Sequence, residues 1–191
     1  VLVTKRWHPL LKVPANKRIP LCKPSINKND LRAVSDAIKS GWLAHGKHNH
    51  DFEDNFANYI GVKHAISMNS CTSALEIALK ANDIRGEVII PSFTWVATAN
   101  AVINAGATPV FADVDYETKN LTSQNIESLI NHKTEAVMVV HFGGQICLMA
   151  EILKLCRKHH LLLIEDSAET IGARFGGRQA GSFGVGCFSF F

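Results

Sequence analysis

The sequence predicts an α/β fold of three layers, αβα, built around a mostly parallel sheet. Short apolar runs alternate with segments of helical periodicity from residue 65 onward, which is the pattern of βαβ units. Apolar runs of this kind are typical of strands that are covered on both faces. One run, residues 161–164, is followed at once by Glu165 and Asp166. Open α/β sheets bind their ligands just outside the carboxyl ends of such strands.

The composition is that of a globular domain and argues against several classes of function. A length of 191 residues suits one domain or a large piece of one, and 47% hydrophobic residues are ample for a core. The net charge of +3 is spread along the chain, so no nucleic-acid-binding arm is predicted. No apolar stretch approaches the ~20 residues of a membrane span, and the start of the chain does not resemble a signal peptide.

Neither a disulfide framework nor a metal site is predicted. The odd number and scattered spacing of the cysteines favour a reducing, cytoplasmic setting. The five cysteines are Cys22, Cys71, Cys147, Cys156 and Cys187. Three histidines cluster in a polar stretch without a second metal-binding motif, so a solvated loop is favoured over a metal site. These histidines are His45, His48 and His50.

The first part of the chain predicts an arm followed by two helices. Residues 1–25 are rich in Lys, Arg and Pro and show no clear period, so we expect an N-terminal arm. A helix capped by Asn27 or Asn29 is predicted to run to Lys39, and a second helix to cover residues 51–59. A glycine follows each helix as a stop signal.

From residue 65 on, predicted strands and helices alternate. The predicted strands cover residues 65–68, 88–90, 109–113, 136–140 and 161–164. The predicted helices between them cover residues 72–81, 96–104, 123–130 and 149–159. Right-handed crossovers would bring the carboxyl ends of these strands to one edge of the sheet.

The last twenty residues depart from this alternation. Residues 172–181 predict a hairpin that turns at Gly176 and Gly177, and residues 186–191 predict another strand. Because the chain stops within that strand, we expect a fragment of a larger domain. Residues 26–191 would then be part of one large domain.

The turn from the first predicted strand into its helix, residues 68–75, could hold a phosphate. Free backbone N–H groups and the helix dipole favour an anion at such a turn, and Thr72 or Ser73 could add a hydroxyl. The alternative is ordinary helix capping by a small polar residue of this turn, namely Asn69, Ser70 or Thr72.

Three further features fall at predicted strand ends. Trp95 could stack on a planar ring at the mouth of the crevice, although a core tryptophan is the alternative. Asp166, with Glu169 behind it, needs a positive partner or hydrogen-bond donors if it is buried, and the alternative is a helix N-cap. Ser189 is one polar residue among phenylalanines, which suggests a directed contact, and the alternative is a hydroxyl satisfied by backbone.

Together these features suit a phosphorylated aromatic cofactor, and pyridoxal phosphate (PLP) needs all of them. An anion site, a stacking plate and an acid for a ring nitrogen match its phosphate, its ring and its pyridine nitrogen. NAD is the main competitor, but no Gly-x-Gly-x-x-Gly follows the first strand. The pattern Gly-x-x-x-x-Gly-Lys-Ser/Thr of nucleotide triphosphatases is also absent.

At these residues the chain resembles the DegT/DnrJ/EryC1/StrS family, sugar-nucleotide aminotransferases of PLP fold type I. The matching segments are 61–65 (GVKHA), 91–100 (PSFTWVATAN), 106–115 (GATPVFADVD), 141–145 (HFGGQ), 164–169 (IEDSAE) and 187–191 (CFSFF). The stretch 144–147, with Glu169, is most similar to the perosamine synthase branch, which aminates a GDP-linked 4-keto-6-deoxy sugar. The resemblance implies the N-terminal part of a fold type I large domain.

The resemblance also implies a role for each candidate site residue. Cys71, Thr72 and Ser189 would hold the phosphate. Trp95 would stack on the pyridine ring, and Asp166 would pair with its nitrogen. In addition, Glu169 falls near the oxygen side of the ring.

The activity implied is transamination by a ping-pong mechanism. An amino donor, usually glutamate, would convert PLP to its amino form, which then aminates a nucleotide-linked keto sugar. A homodimer is also implied, because fold type I active sites form at a dimer interface. Neither nucleic acid nor membrane is an expected partner.

The chain departs from the family pattern at several points. The Schiff-base lysine of the family is expected just beyond Phe191, so no catalytic residue is assigned within this chain and the chain alone is expected to be inactive. In addition, Cys71 stands where the family commonly has Gly. Two alternatives to an aminotransferase therefore stay open. One is a truncated, non-catalytic pseudoenzyme or partner subunit. The other is a PLP-dependent sugar dehydratase, which would carry His in place of the lysine.

Overall fold

The computed structural model describes residues 23–191. Cys22 therefore lies outside the described residues, as does the predicted arm over residues 1–25 except for its last three residues. The chain divides into two compact units, one ending at Gly46 and the other covering Lys47–Phe191. None of the described helices has the length and apolar content that a membrane crossing requires.

The first unit contains helix α1, Lys28–Lys39, at the predicted place. Asn27 is its N-cap: its side-chain oxygen accepts the N–H of Asn29 at 2.7 Å, and its own N–H donates to Asp30 Oδ2 at 2.7 Å. This reciprocal pair is a capping box, which satisfies two N–H groups at the start of the helix. Of the two predicted caps, Asn27 is correct.

The second unit alternates helices and strands as predicted. Its helices are α2 (Lys47–Ile60), α3 (Cys71–Ala81), α4 (Val96–Ala105), α5 (Ser123–Glu127) and α6 (Met149–Lys158). Its strands are β1 (Glu87–Pro91), β2 (Thr108–Ala112), β3 (Thr134–Val140), β4 (Leu162–Asp166), β5 (Arg174–Phe175), β6 (Arg178–Gln179) and β7 (Val185–Cys187). Five strands form a parallel sheet in the order β2-β1-β3-β4-β7.

Helices cover both faces of this sheet, which confirms the three-layer α/β prediction. Neighbouring side chains of a strand point to opposite faces. In β1, Val88 and Ile90 pack against α3 and α4, whereas Ile89 packs with the residues of α5 and α6. All three side chains are fully buried. A strand covered on both sides explains the apolar run in the sequence.

The strand predicted over residues 65–68 is wrong. The structure has neither helix nor strand at these residues, and Ile66 is 80% exposed. The N–H and hydroxyl of Ser67 donate to Glu53 Oε1 of α2, at 2.7 and 2.8 Å. The N–H of Ser67 thus donates to the side chain of Glu53 instead of to the backbone of a neighbouring strand.

Most other boundaries agree with the prediction to within two residues, and three differ by more. Helix α5 stops at Glu127 instead of residue 130, and β7 stops at Cys187 instead of residue 191. Helix α2 begins at Lys47. His48 and His50 therefore lie at exposed positions of a helix instead of in a loop. The hairpin of β5 and β6, with Gly176 and Gly177 at its turn, is as predicted.

Candidate functional site

A cavity of about 1110 Å³ lies at the carboxyl end of the sheet and is lined by every predicted site residue. These residues are Cys71, Thr72, Trp95, Asp166, Glu169 and Ser189. They are distributed along the chain from the start of α3 to the segment that follows β7. The fold therefore brings them to one hollow, as the sequence predicted.

Asp166 is the last residue of β4, and its carboxylate is buried at the floor of the cavity. Its Oδ2 accepts the hydroxyl of Thr98 at 3.0 Å, and its Oδ1 accepts the N–H of Ala168 at 3.3 Å. Burial raises the pKa of this carboxyl, and the hydrogen bond from Thr98 opposes that rise. No lysine or arginine of the described chain forms an ion pair with it. Asp166 is followed by a turn that leads into β5 and not by a helix, so the helix N-cap alternative is wrong.

The start of α3 brings Cys71 and Thr72 to the same cavity. Ser70 is the N-cap: its hydroxyl oxygen accepts the N–H of Ser73 at 3.1 Å. Because Ser70 does the capping, the hydroxyl of Thr72 is left exposed at the cavity wall. The thiol of Cys71 lies 4.0 Å from Asp166 Oδ1, and burial, together with the charge of Asp166, raises its pKa to about 12. The thiol therefore stays protonated and donates weakly to the carboxylate.

Trp95 stands at the N-cap position of α4 and is 77% exposed. The core-tryptophan alternative is therefore wrong, and the indole is free to contact a ligand. Next to it, Phe93 packs on Phe142 with ring centroids 4.7 Å apart, and both rings line the cavity. One wall of the cavity is thus aromatic.

Ser189 reaches the cavity by a route that differs from the prediction. It lies beyond the end of β7, so strand alternation does not orient it. Phe188 and Phe190 pack on Phe56 of α2, with centroid distances of 5.0 and 5.4 Å. These contacts hold the segment that carries Ser189. Its hydroxyl oxygen accepts the N–H of Phe191 at 3.1 Å, which leaves its own O–H free to donate.

Glu169 lies at the exposed rim of the cavity. Its Oε2 accepts the N–H of Gly143 at 2.8 Å. The carboxylate therefore links the turn after β4 to the short 3₁₀ turn Phe142–Gly144 that follows β3.

Sequence reasoning missed Thr98, a fully buried residue whose hydroxyl contacts Asp166. Thr94 lies 2.8 Å from it, oxygen to oxygen. The signal was weak, because Thr94 lies just before the predicted helix over residues 96–104 and only Thr98 lies within it. It lacked a partner until the fold brought Asp166 beside them.

A second missed feature is the buried pair of His141 and Glu165, with 3.0 Å between Nε2 and Oε2. Glu165 also accepts three backbone N–H groups, from Gly181, Phe183 and Gly184, at 2.7–2.8 Å. Nδ1 of His141 accepts the N–H of Cys147 at 3.3 Å. Because Nδ1 accepts, Nε2 carries the proton and the imidazole is neutral. The four donors satisfy Glu165 as a buried anion.

Three comparisons with known proteins give relatives of this chain. The sequence profile described as "DegT/DnrJ/EryC1/StrS aminotransferase family" matches residues 24–191. Spore coat polysaccharide biosynthesis protein SpsC of Bacillus subtilis is 42% identical over 179 residues, which cover 92% of this chain and 46% of that protein. GDP-perosamine synthase of Caulobacter vibrioides is 45% identical over 178 residues, which cover 91% and 48%.

Solved structures show the same fold. The aminotransferase from Psychrobacter cryohalolentis has a TM-score of 0.84 and 40% identity, over 87% of this chain and 44% of that one. The chain spans about half the length of the curated relatives it matches. Enzymes of this family are PLP-dependent, which confirms the predicted cofactor.

The donor set of the cavity fits that cofactor. Asp166 is a buried carboxylate without a cation from the described chain, and a protonated pyridine nitrogen would supply one. Thr72, Ser189 and the start of α3 offer donors for a phosphate. Trp95 offers an exposed flat ring at the same cavity.

Proposed function

We propose, from the premise that this chain belongs to the DegT/DnrJ/EryC1/StrS aminotransferase family, that it serves PLP-dependent transamination of a nucleotide-linked keto-deoxy sugar. In this proposal the cavity at the carboxyl end of the sheet binds the cofactor. The six predicted residues are its binding groups.

The observation that carries the proposal is the buried carboxylate of Asp166 at the end of β4. Burial without a cationic partner is unfavourable for a carboxylate. A ring N–H placed against Oδ1 would offset that penalty and would itself stay protonated. Bound PLP supplies an electron sink for the carbon atom attached to the substrate nitrogen, and protonation of the ring strengthens it.

The phosphate end is assigned to Thr72, Ser189 and the first turn of α3. The backbone N–H groups there point out of the helix, and the helix dipole favours an anion. The free O–H of Ser189 and the exposed hydroxyl of Thr72 add donors from two different elements. Cys71 contributes less to phosphate binding, since its thiol is directed at Asp166.

Trp95 and Glu169 orient the ring in this proposal. The indole of Trp95 covers one face of the ring and excludes water from it. The carboxylate of Glu169, held by Gly143, would accept a hydrogen bond at the oxygen side of the ring. With Asp166 at the nitrogen, these groups define the ring plane from three directions.

The names of two relatives support the proposed substrate class. Two of them are named GDP-perosamine synthase, and they are 42% and 45% identical to this chain. We therefore assign a GDP-linked 4-keto-6-deoxy sugar as acceptor and glutamate as amino donor. A homodimer in the cytoplasm is part of the same proposal.

Binding of pyridoxamine phosphate, measured by calorimetry, tests the site. This probe keeps the ring and the phosphate but lacks the aldehyde that would react with surface lysines. Asp166→Asn and Trp95→Ala should each weaken binding by about tenfold or more, which matches the loss of one charge-assisted hydrogen bond or of one stacked ring. Trp42→Ala is the matched control, since Trp42 is also exposed (66%) but does not line the cavity.

Nitrogen transfer tests the substrate. A polypeptide that extends past Phe191 and includes the expected Schiff-base lysine would be incubated with PLP, ¹⁵N-glutamate and a GDP-linked or TDP-linked 4-keto-6-deoxy sugar. The sugar would then be analysed by mass spectrometry. Label in the GDP-linked product supports the assignment. Label in the TDP-linked product only would contradict the nucleotide, and affinity for pyridoxamine phosphate unchanged in Asp166→Asn would contradict the site.

A further inference from the structure

Two threonine hydroxyls form a chain behind the carboxylate of Asp166. Thr94 Oγ1 and Thr98 Oγ1 are 2.8 Å apart, and Thr98 Oγ1 lies 3.0 Å from Asp166 Oδ2. Thr98 is fully buried, whereas Thr94 is half-buried and lines the cavity. The two hydroxyls thus connect the cavity wall at Thr94, through the buried Thr98, to the carboxylate of Asp166.

The charge of Asp166 decides the direction of these hydrogen bonds. An ionised carboxylate can only accept, so Thr98 must donate to it. Its one proton is then used, and Thr98 can only accept from Thr94. Thr94 therefore donates to Thr98, and Thr98 donates to Asp166. In a series of hydrogen bonds that all run in the same direction, each bond strengthens the next.

The two oxygens of Asp166 are consequently different. Oδ2 is held by Thr98 at 3.0 Å. Oδ1 has a longer contact of 3.3 Å from the N–H of Ala168 and a thiol at 4.0 Å. Oδ1 is therefore the oxygen left to receive a stronger donor from the cavity.

We propose that Thr98, backed by Thr94, is a positioning residue that holds Asp166 ionised and turns Oδ1 toward the pyridine nitrogen of the cofactor. This inference rests on the proposed function and extends it to Thr98, which does not line the cavity. Without the Thr98 hydroxyl, Oδ2 would be a buried acceptor with no partner, so both the charge and the rotamer of the carboxylate would change.

Other titratable groups also face Asp166. They are Cys71 from α3, Cys187 from β7, His141 after β3 and Glu169 in the following turn. None of them hydrogen-bonds Oδ2 in the described chain. Removing the Thr98 hydroxyl therefore takes away the hydrogen bond to Oδ2, together with the contact between Thr98 and Thr94.

Two measurements on the whole chain test the proposal. Thr98→Val keeps the size and shape of the side chain and removes the hydroxyl. It should weaken pyridoxamine phosphate binding by about tenfold and raise the pKa of the Asp166 carboxyl, followed by ¹³C NMR titration with Asp166→Asn as the assignment control. Thr98→Ser should restore both values toward those of the native chain, and Thr94→Val should shift both less than Thr98→Val.

An analogue of pyridoxamine phosphate with carbon in place of the ring nitrogen separates positioning from general damage. Native chain and Thr98→Val should bind it equally well. Equal losses for both ligands, or an unchanged Asp166 titration in Thr98→Val, would overturn the proposal. If the native chain fails to bind pyridoxamine phosphate, the proposed function is refuted, while the titration still decides the role of Thr98.

Discussion

At the scale of single residues, Glu165 and Asp166 at the end of β4 differ in how many hydrogen-bond donors their carboxylates receive. Glu165 points to the face that packs with α6 and accepts four N–H donors, so its charge is fully satisfied. Asp166 points to the face of α3 and α4, where it receives one hydroxyl, one long N–H contact and a distant thiol. The first holds the fold together, and the second is left available for a ligand.

Replacing Asp166 by Asn is expected to stabilise the folded chain at neutral pH by about 1 kcal/mol, since functional groups are often held at a cost in stability. The pKa of Asp166 is raised in the folded state from its ordinary value of 3.8. The native chain therefore loses stability as pH rises through the interval between the unfolded and folded pKa values, and it does not regain it above. Asn does not titrate, so the variant does not lose stability in this interval.

Urea unfolding at several pH values checks this prediction. The excess stability of Asp166→Asn should be larger at pH 7 than at pH 3, which lies below the ordinary pKa of 3.8. Glu127→Gln is a suitable control, because Glu127 pairs with Lys158 at the surface, and such pairs contribute little. A variant that is less stable than the native chain at every pH would show that the hydrogen bonds to the carboxylate outweigh its burial.

At the scale of elements, the segment between the hairpin and β7 depends on a close approach of chain to side chain. Gly181 has φ +77°, and a Cβ placed there would overlap the ring of Phe188. Phe188 in turn packs on Phe56 of α2 at 5.0 Å. Hairpin, α2 and the segment that carries Ser189 are thus coupled through one ring.

Gly181→Ala is expected to lower the free energy of unfolding by about 2–4 kcal/mol. About 1 kcal/mol comes from a side chain at positive φ and about 1–3 kcal/mol from overpacking against Phe188. Gly177→Ala is the matched control, because Gly177 has φ +82° and no atom lies within 4 Å of the place that an alanine methyl would take. The control should lose only about 1 kcal/mol.

Urea denaturation of both variants measures the difference, and hydrogen exchange shows where it acts. Exchange in residues 188–191 should accelerate in Gly181→Ala but not in Gly177→Ala. Equal losses of stability in the two variants would mean that Phe188 yields without resistance and does not couple these elements.

At the scale of the whole molecule, the cavity exists because elements from distant parts of the chain end at one edge of the sheet. Thr72 stands at the start of α3, Trp95 at the start of α4, Asp166 at the end of β4 and Ser189 after β7. A ligand that contacts all of them bridges much of the second unit. It should therefore stabilise the cooperative fold and not one loop alone.

Pyridoxamine phosphate at 100 times its Kd should raise the stability of the chain by about 2.7 kcal/mol, which corresponds to a Tm shift of roughly 5–10 °C for a domain of this size. Differential scanning calorimetry across ligand concentrations measures the shift. Inorganic phosphate at the same concentration should produce a much smaller one. A Tm that is independent of ligand concentration would contradict a site that joins these elements.

Much of this architecture could be predicted from the sequence because the signals are local. An apolar run of four residues between polar turns needs no partner to indicate a buried strand, and Asn27 caps α1 through its immediate neighbours. Ile66 shows the limit: residues 65–68 have strand-like composition, yet no strand of the described chain pairs with them. Composition favours a strand, but only a neighbour provides its hydrogen bonds.

The candidate site divides in the same way. The sequence was enough to predict which residues lie near strand ends, and therefore that Asp166 and Trp95 share one edge of the sheet. Three contacts could be found only in the packed fold: Thr98 donates to Asp166, His141 pairs with Glu165, and Phe56 positions the segment of Ser189. The reason is physical: apolar runs and turn residues are local features of the sequence, whereas a buried hydrogen bond depends on atoms that meet only after distant segments have packed.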